Sequence, residues 1–398
     1  MKNEHPKIIR TATVAMSLEV LLKGQLGFLN KYFNCIAISG KDEHLLQVAK
    51  REKVKIIPVT FKRNISPLKD LVSLWKLYKV LKKENPLIVH SITPKAGLLS
   101  MIAAYLAKVP IRIHTFTGLV FPSKKGFLQK LLIWLDRLLC KCATHVYPEG
   151  LGVQHDLQKF NITTKELKVL ANGNINGIDT DYFNPSNFSE IQVNELKQSL
   201  GISKNDFVFV FIGRLVGDKG INELIAAFKK LTNSKLQPTN SKLQTPNSKL
   251  LLVGAYEHDL DPLTPETISE INCNANIITT GYKDDVRPYL AISDALVFPS
   301  YREGFPNVVL QAGAMGLPSI VTDINGCNEI IVEGENGLIT PVKDENALGI
   351  AMFKLLNDKE LRLKLAENAR SIICNSFKQQ LVWDALLEEY KILVASVL

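Results

Sequence analysis

The sequence predicts an α/β protein built as two doubly wound domains in tandem. Short apolar runs alternate with patterns of helical period, and this alternation occurs twice over. At 398 residues the chain is long enough for two domains of ordinary size with real cores. A turn rich in glycine and basic residues follows the first apolar run of the second series, as it does where such sheets bind ligands.

In the first series, residues 8–14, 34–39, 54–59, 87–90, 111–116 and 144–147 read as strands, with helical spacing at 68–83 and 96–107 between them. In the second, strands are read at 207–213, 250–254, 277–280, 295–299, 318–322 and 337–340, and helices at 222–231 and 308–315. Asn, Gly and Asp crowd the stretch 172–185 and favour turns, so the domains are expected to span 1–180 and 181–375. A final helix within 376–398 is expected to pack back on the first domain. From Asn233 the heptad NSKLQPT, NSKLQTP, NSKL repeats. Removing residues 233–246 restores a connection of normal length, so this segment reads as a surface insertion with no part in function.

Apolar residues make up 46% and charged residues 22% of the chain, which excludes a disordered protein. The six cysteines, Cys35, Cys140, Cys142, Cys273, Cys327 and Cys374, form no C-x-x-C pair, which argues against a disulfide framework or a zinc site. The N-terminus reads as lacking a secretory signal, and no apolar run reaches the ~18 residues that span a bilayer. The protein is therefore expected in the cytoplasm. Its net charge of +9 is uneven: residues 1–180 carry 28 Lys+Arg against 12 Asp+Glu, and the rest 20 against 27. A basic first half suits an anionic partner. No nucleic-acid-binding motif accompanies it, so nucleic acid is not expected.

The chemistry concentrates in two strand-to-helix loops of the second half. Gly213-Arg214-Leu215-Val216-Gly217-Asp218-Lys219-Gly220 combines glycines, which let backbone approach a ligand, with two cations. Arg forks onto two phosphate oxygens and Lys acts as a point charge. The second loop, Pro299 to Asn307, reads PSYREGFPN. Pro306 and Asn307 suit a helix start, whose free N–H groups bind anions. Glu303 would repel a phosphate there, so it is read as an acceptor for sugar hydroxyls. Two cations and a helix end can neutralise a diphosphate without a metal, and no cofactor is expected.

With both loops in hand, the sequence strongly resembles the retaining GT-B glycosyltransferases of family 4 over nearly its whole length. The resemblance implies two Rossmann-like domains with a donor/acceptor cleft between them. It assigns Arg214 and Lys219 of the G-R-L-x-x-x-K-G turn to the donor diphosphate and Glu303 to the transferred sugar, and these three are the expected catalytic residues. Gly213, Tyr282, Gly304, Phe305, Pro306, Asn307 and Gln311 complete the expected donor site. At the last position the family carries a second Glu for the ribose; Gln311 offers one carbonyl acceptor and an NH₂ donor instead.

In the first domain, VHSITPKAG from Val89 and RIHTFTG from Arg112 resemble the subgroup that builds bacterial capsule and O-antigen repeats. His90, Lys95, His114, Thr117 and Gly118 are the acceptor-side candidates, though Thr117 stands where many relatives have His. The resemblance implies a nucleotide-sugar donor, expected to be UDP-linked, and a saccharide acceptor on a polyprenyl diphosphate. Residues 123–142 read as a basic amphipathic helix that would lie on an anionic membrane surface. Two other readings share the fold. A nucleotide-sugar epimerase would release free epimerised sugar, and a degenerate scaffold would have lost the site, with Gln311 as its sign.

Overall fold

The structure, a computed structural model, describes residues 5–62, 66–232, 247–257 and 261–397; the 233–246 repeat lies outside them. The chain divides into two units, Met1–Gly177 with Gln379–Leu398, and Ile178–Lys378.

The first unit holds six parallel strands: β1 (Lys7–Thr11), β2 (Asn34–Ser39), β3 (Lys55–Pro58), β4 (Ile88–Ser91), β5 (Ile111–Phe116) and β6 (His145–Pro148), in the order β3-β2-β1-β4-β5-β6. Both faces are covered, so the strands read as near-continuous apolar runs. On one face Ile8, Ala37, Ile88 and Ile113 pack with Leu386, Leu387, Tyr390 and Leu393 of the last helix, Gln379–Ala395. On the other, Ile9, Ile36, Val89 and Val146 pack with the helices Pro67–Glu84, Pro94–Leu106 and Gly126–Cys142.

Several boundaries differ from the sequence reading. The first strand stops at Thr11, because Thr13 turns to bond Thr93 through its backbone N–H (2.8 Å). The basic helix starts at Gly126, not 123: Phe121–Ser123 forms a 3-10 turn and Gly126 sits at φ 64, so Lys124 and Lys125 precede the helix. The units divide at Gly177/Ile178, since the Ile178 N–H donates to the Phe377 carbonyl (2.8 Å). The last helix is tied to the first unit by polar bonds as well as packing. Trp383 Nε1 donates to Asn176 Oδ1 (2.7 Å), and the Tyr147 hydroxyl donates to Glu389 Oε1 (2.6 Å).

The second unit has strands β7 (Phe207–Ile212), β8 (Ser248–Val253), β9 (Ile277–Gly281), β10 (Ala295–Phe298), β11 (Ser319–Thr322) and β12 (Gly337–Thr340), ordered β12-β11-β10-β7-β8-β9. Every residue of β7 is buried, as its FVFVFI sequence requires of a central strand. The order reverses between β7 and β10, which are neighbours. All six cysteines are free; Cys35, Cys140, Cys142 and Cys327 are buried.

Candidate active site

In doubly wound sheets, ligands bind beyond the carboxyl ends of the strands where the strand order reverses. In the second unit that place is bounded by the loops after β7 and β10, the two loops singled out from the sequence. Three glycines let the surrounding backbones touch. A Cβ at Gly254 would lie 1.7 Å from the Gly213 carbonyl oxygen, one at Gly220 2.1 Å from that of Pro299, and one at Gly326 2.4 Å from that of Gly304. The Tyr301 N–H donates to the Asp218 carbonyl (2.9 Å), and the Leu215 N–H to that of Ala255 (2.9 Å). The loops after β7, β8, β10 and β11 therefore form one interlocked surface.

On that surface the Lys219 ammonium is ion-paired with Glu303 Oε1, which also accepts from the Ser300 hydroxyl (2.8 Å). Ser300 is fully buried, and its carbonyl accepts from Thr322 Oγ1. Arg214 Nη1 lies 2.7 Å from Glu257 Oε2, a half-exposed pair, and Arg302 pairs with Asp218 (2.9 Å). The Asp218 N–H donates to Asp261 Oδ2 (2.5 Å). Arg214, Lys219 and this N–H are thus each held by a carboxylate. Burial, then the Glu223 carboxylate, holds the Tyr301 phenol above its usual range.

Phe305 is buried, Pro306 caps the helix Asn307–Ala314 and Asn307 is its first residue. Gln311 lies one turn further on the same side, half-buried. Gly304 meets Gly326, at the start of the short Cys327–Ile330 turn, where Glu329 Oε1 accepts the Gly326 N–H (3.1 Å). Tyr282 follows Gly281 (φ 69) at the end of β9 and is exposed. Glu257, Asp261 and Ser300 were not singled out from the sequence. Two Asp-x-Asp triplets occur, at 179–181 and 259–261. Asp179 Oδ1 accepts the N–H groups of Asp181 and Tyr182, closing a turn, whereas Asp261 abuts the Arg214–Lys219 turn itself.

The first unit corrects the reading of the two histidines. His90 and His114 are each 1% exposed, and lie in the core rather than facing an acceptor. His90 Nδ1 meets the Tyr390 hydroxyl (2.6 Å) and Nε2 meets Thr115 Oγ1 (2.7 Å). Arg10 Nη1 donates to the same Tyr390 oxygen (3.0 Å). Arg can only donate, so the Tyr390 oxygen accepts from it, and both ring nitrogens of His90 are hydrogen-bonded. Burial and the Arg10 charge keep this imidazole neutral by holding its pKa well below 6.5. His114 bonds Ser91 Oγ (2.8 Å) and packs on Gly97, where a Cβ would lie 2.4 Å from its ring; burial lowers its pKa to about 3.

The other acceptor-side candidates do reach the strand ends. Lys95 pairs with Asp70 (2.8 Å), Thr117 Oγ1 donates to the Ile92 carbonyl (2.9 Å), and Gly118 takes φ 126. Thr13 and Thr93, bonded hydroxyl to hydroxyl at 2.8 Å, stand at this unit's own strand reversal between β1 and β4. Their mixed hydroxyl chemistry had no motif to mark it.

Comparison with known proteins bears on both units. A family model for glycosyl transferases group 1 matches residues 192–372, and one for a glycosyl transferase 4-like domain matches 38–173. The capsular polysaccharide biosynthesis glycosyltransferase CapM of Staphylococcus aureus is 34% identical over 397 residues, covering 98% of this chain and 97% of that one. The Escherichia coli UDP-Gal:alpha-D-GlcNAc-diphosphoundecaprenol alpha-1,3-galactosyltransferase is 34% identical over 321 residues, covering 80% and 78%. Among solved structures, Anabaena Alr3699/HepE with UDP and glucose superposes with a TM-score of 0.80 at 18% identity, covering 97% of this chain and 100% of that one. Two parallel six-stranded sheets of this order make a GT-B fold. The chain belongs to family 4 of the GT-B glycosyltransferases, in the subgroup of bacterial capsule and O-antigen polysaccharide synthesis.

Proposed function

We propose that this glycosyltransferase moves a hexose or N-acetylated amino sugar, with retention of anomeric configuration, from a UDP-linked donor to a saccharide on a polyprenyl diphosphate. The observation that carries the reading is the convergence of Arg214, Lys219 and Glu303 with the start of the helix Asn307–Ala314 at the strand reversal. Arg214 and Lys219 neutralise the leaving diphosphate, supported by the helix N-terminus. Glu303, steadied by Ser300, orients the sugar hydroxyls. The leaving phosphate takes the acceptor proton as the acceptor oxygen approaches from the same face, so the protein's part is orientation and charge stabilisation. Two relatives support the donor and acceptor classes by name: the Escherichia coli enzyme above, and a Campylobacter jejuni N,N'-diacetylbacillosaminyl-diphospho-undecaprenol alpha-1,3-N-acetylgalactosaminyltransferase, 30% identical over 321 residues. The test is a panel of nucleotide sugars screened for thermal stabilisation, each hit then offered with a lipid-linked saccharide and the product's anomeric configuration read by NMR. Inversion, or release of free epimerised sugar in place of transfer, would overturn the reading.

The reaction is proposed to need no metal, since two cations and a helix end supply the charge a metal would. Among the described residues no three His, Cys, Asp or Glu side chains converge as a metal cluster. Turnover is expected to be unchanged by EDTA. Loss with EDTA and recovery with Mn²⁺ would assign a cation to the turn beside Asp261.

The acceptor side is proposed to work at the cytoplasmic face of an anionic membrane. No helix among the described residues is long and apolar enough to cross one. The helix Gly126–Cys142 exposes Phe127 (81%) and Trp134 (59%), with Lys124, Lys125 and Lys130 beside them. The helix Pro67–Glu84 exposes Leu68 (80%), Leu71, Val72 and Trp75, with Lys79 Nζ 3.5 Å from the Trp75 ring centre. Both begin at the same end of the sheet and flank Pro94–Leu106, so apolar anchors and lysines occur on two neighbouring helices. The protein is expected to sediment with phosphatidylglycerol-containing vesicles and to be released as salt rises, because surface attraction is screened over ~10 Å at 0.1 M. Lys124→Glu, Lys125→Glu and Lys130→Glu together should weaken that binding at least several-fold while turnover of a soluble acceptor analogue persists. Unchanged sedimentation of the triple variant would dismiss this docking surface.

A further inference from the structure

We propose that Thr13 and Thr93 of the first unit together hold one hydroxyl of the acceptor saccharide. The inference rests on the acceptor reading above and names residues for it. Each threonine lies two residues beyond the end of its strand, Thr13 after β1 and Thr93 after β4. Those strands are neighbours where the strand order reverses, and ligands bind beyond the carboxyl ends at such a place. Both residues are half-buried.

The hydrogen bonds of the pair point to a hydroxyl. Thr93 precedes the helix Pro94–Leu106 at the position from which a threonine side chain ordinarily caps, yet it makes no capping bond. Thr13 caps in its place, its Oγ1 accepting the Ala96 N–H (3.1 Å). Thr93 Oγ1 in turn accepts the Thr13 N–H (2.8 Å). The two hydroxyl oxygens are 2.8 Å apart, so one donates to the other. A hydroxyl brings one proton and two lone pairs. The two backbone N–H groups occupy one lone pair on each oxygen, and the shared bond uses one proton and one further lone pair. One O–H and one lone pair are left over, on different oxygens, whichever way the shared proton points. Among the described residues neither hydroxyl has a further partner.

A spare donor beside a spare acceptor is the complement of a hydroxyl, which both gives and takes a bond. A carboxylate or phosphate oxygen could use only the donor, and an ammonium only the lone pair. Water shares the pattern, and a sugar hydroxyl can displace it while reproducing both bonds. The polar groups beside the pair are engaged elsewhere: Thr117 Oγ1 donates to the Ile92 carbonyl, and Lys95 is ion-paired with Asp70. The threonine pair is thus a neutral polar group at the strand ends, fitted to a saccharide.

The test uses the full chain with UDP and, as probes, the undecyl diphosphates of glucose, galactose, N-acetylglucosamine and N-acetylgalactosamine. Thr93→Val keeps the side-chain shape and the Thr13 cap but removes one hydroxyl. It should raise the dissociation constant of the bound probe roughly 3- to 10-fold and leave UDP affinity unchanged, and Thr93→Ser should restore it. Removing the probe's hydroxyls one at a time should find one deoxy sugar that loses as much on the wild type and little more on Thr93→Val. A merely structural threonine would not produce that coupling. A co-crystal should place the same sugar hydroxyl within hydrogen-bonding distance of both threonine oxygens. Equal probe affinity in Thr93→Val and the wild type overturns the inference, as does a co-crystal with the sugar elsewhere. A wild type that binds UDP but none of the probes also overturns it, while the donor reading stands. Coupled binding in a protein that transfers nothing to the probe upholds it and fails the proposed reaction. If Thr93→Val does not fold, the deoxy series and the co-crystal on the wild type still decide.

Discussion

Arg214→Ala is expected to fold normally and to lose roughly 30- to 1000-fold in kcat/KM for the donor, equivalent to about 2–4 kcal/mol of transition-state stabilisation. Two features separate folding from catalysis here. In this structure Arg214 contacts Glu257 in a half-exposed pair, and such pairs contribute about 0–1 kcal/mol to stability. In the proposed reaction the same guanidinium forks onto a diphosphate whose charge grows as the sugar departs, so its removal falls mainly on kcat. Arg214→Lys keeps the charge but not the fork and should recover only part of the loss. Steady-state kinetics beside a thermal melt checks this. Wild-type turnover in Arg214→Ala would remove the residue from the mechanism.

Gly220→Ala is expected to be a strongly destabilising single-methyl change near the site. The added carbon would sit 2.1 Å from the Pro299 carbonyl oxygen and 2.8 Å from its carbonyl carbon, where backbone cannot yield as a side chain can. Gly220 also takes φ 71, a conformation that L-residues adopt only with strain. A loss of roughly 2–4 kcal/mol follows, which in a unit of this size lowers the melting midpoint by about 4–16 °C. Gly316→Ala is the control: its φ is 78, but a Cβ there meets open space, so only the backbone strain of about 1 kcal/mol applies. If calorimetry finds both variants equally stable, the contact between the two loops does not hold them together.

Much of the fold was legible because both faces of each sheet are buried. Runs such as FVFVFI at β7 have no other stable place than the middle of a covered parallel sheet. The two loops of the candidate site were legible because glycine, cations and a helix start fall within a few residues of one another. What could not be read depends on segments far apart in the chain. His90 looked accessible at the end of a strand, and only Tyr390, 300 residues later, covers it. His114 is buried because helix Pro94–Leu106 presents Gly97, not a side chain, to its ring. Glu257 and Asp261 became visible as partners of the Arg214–Lys219 turn only once β8 was placed beside β7. Gln311 remains where the family carries a carboxylate, and its half-buried place one turn into its helix gives no separate account of the change.

The chain order of the two units has a consequence during synthesis. The second unit is a continuous stretch, Ile178–Lys378, and is complete as soon as it is made. The first unit is not: after Gly177 its sheet still lacks the helix Gln379–Ala395 that covers Ile8, Ala37 and Ile113. At ~5–20 residues per second, a ribosome leaves that apolar face uncovered for roughly 10–45 s. The N-terminal unit, though translated first, is therefore the last to close, and a nascent chain stalled anywhere in the second unit would present a half-finished sheet to chaperones and proteases.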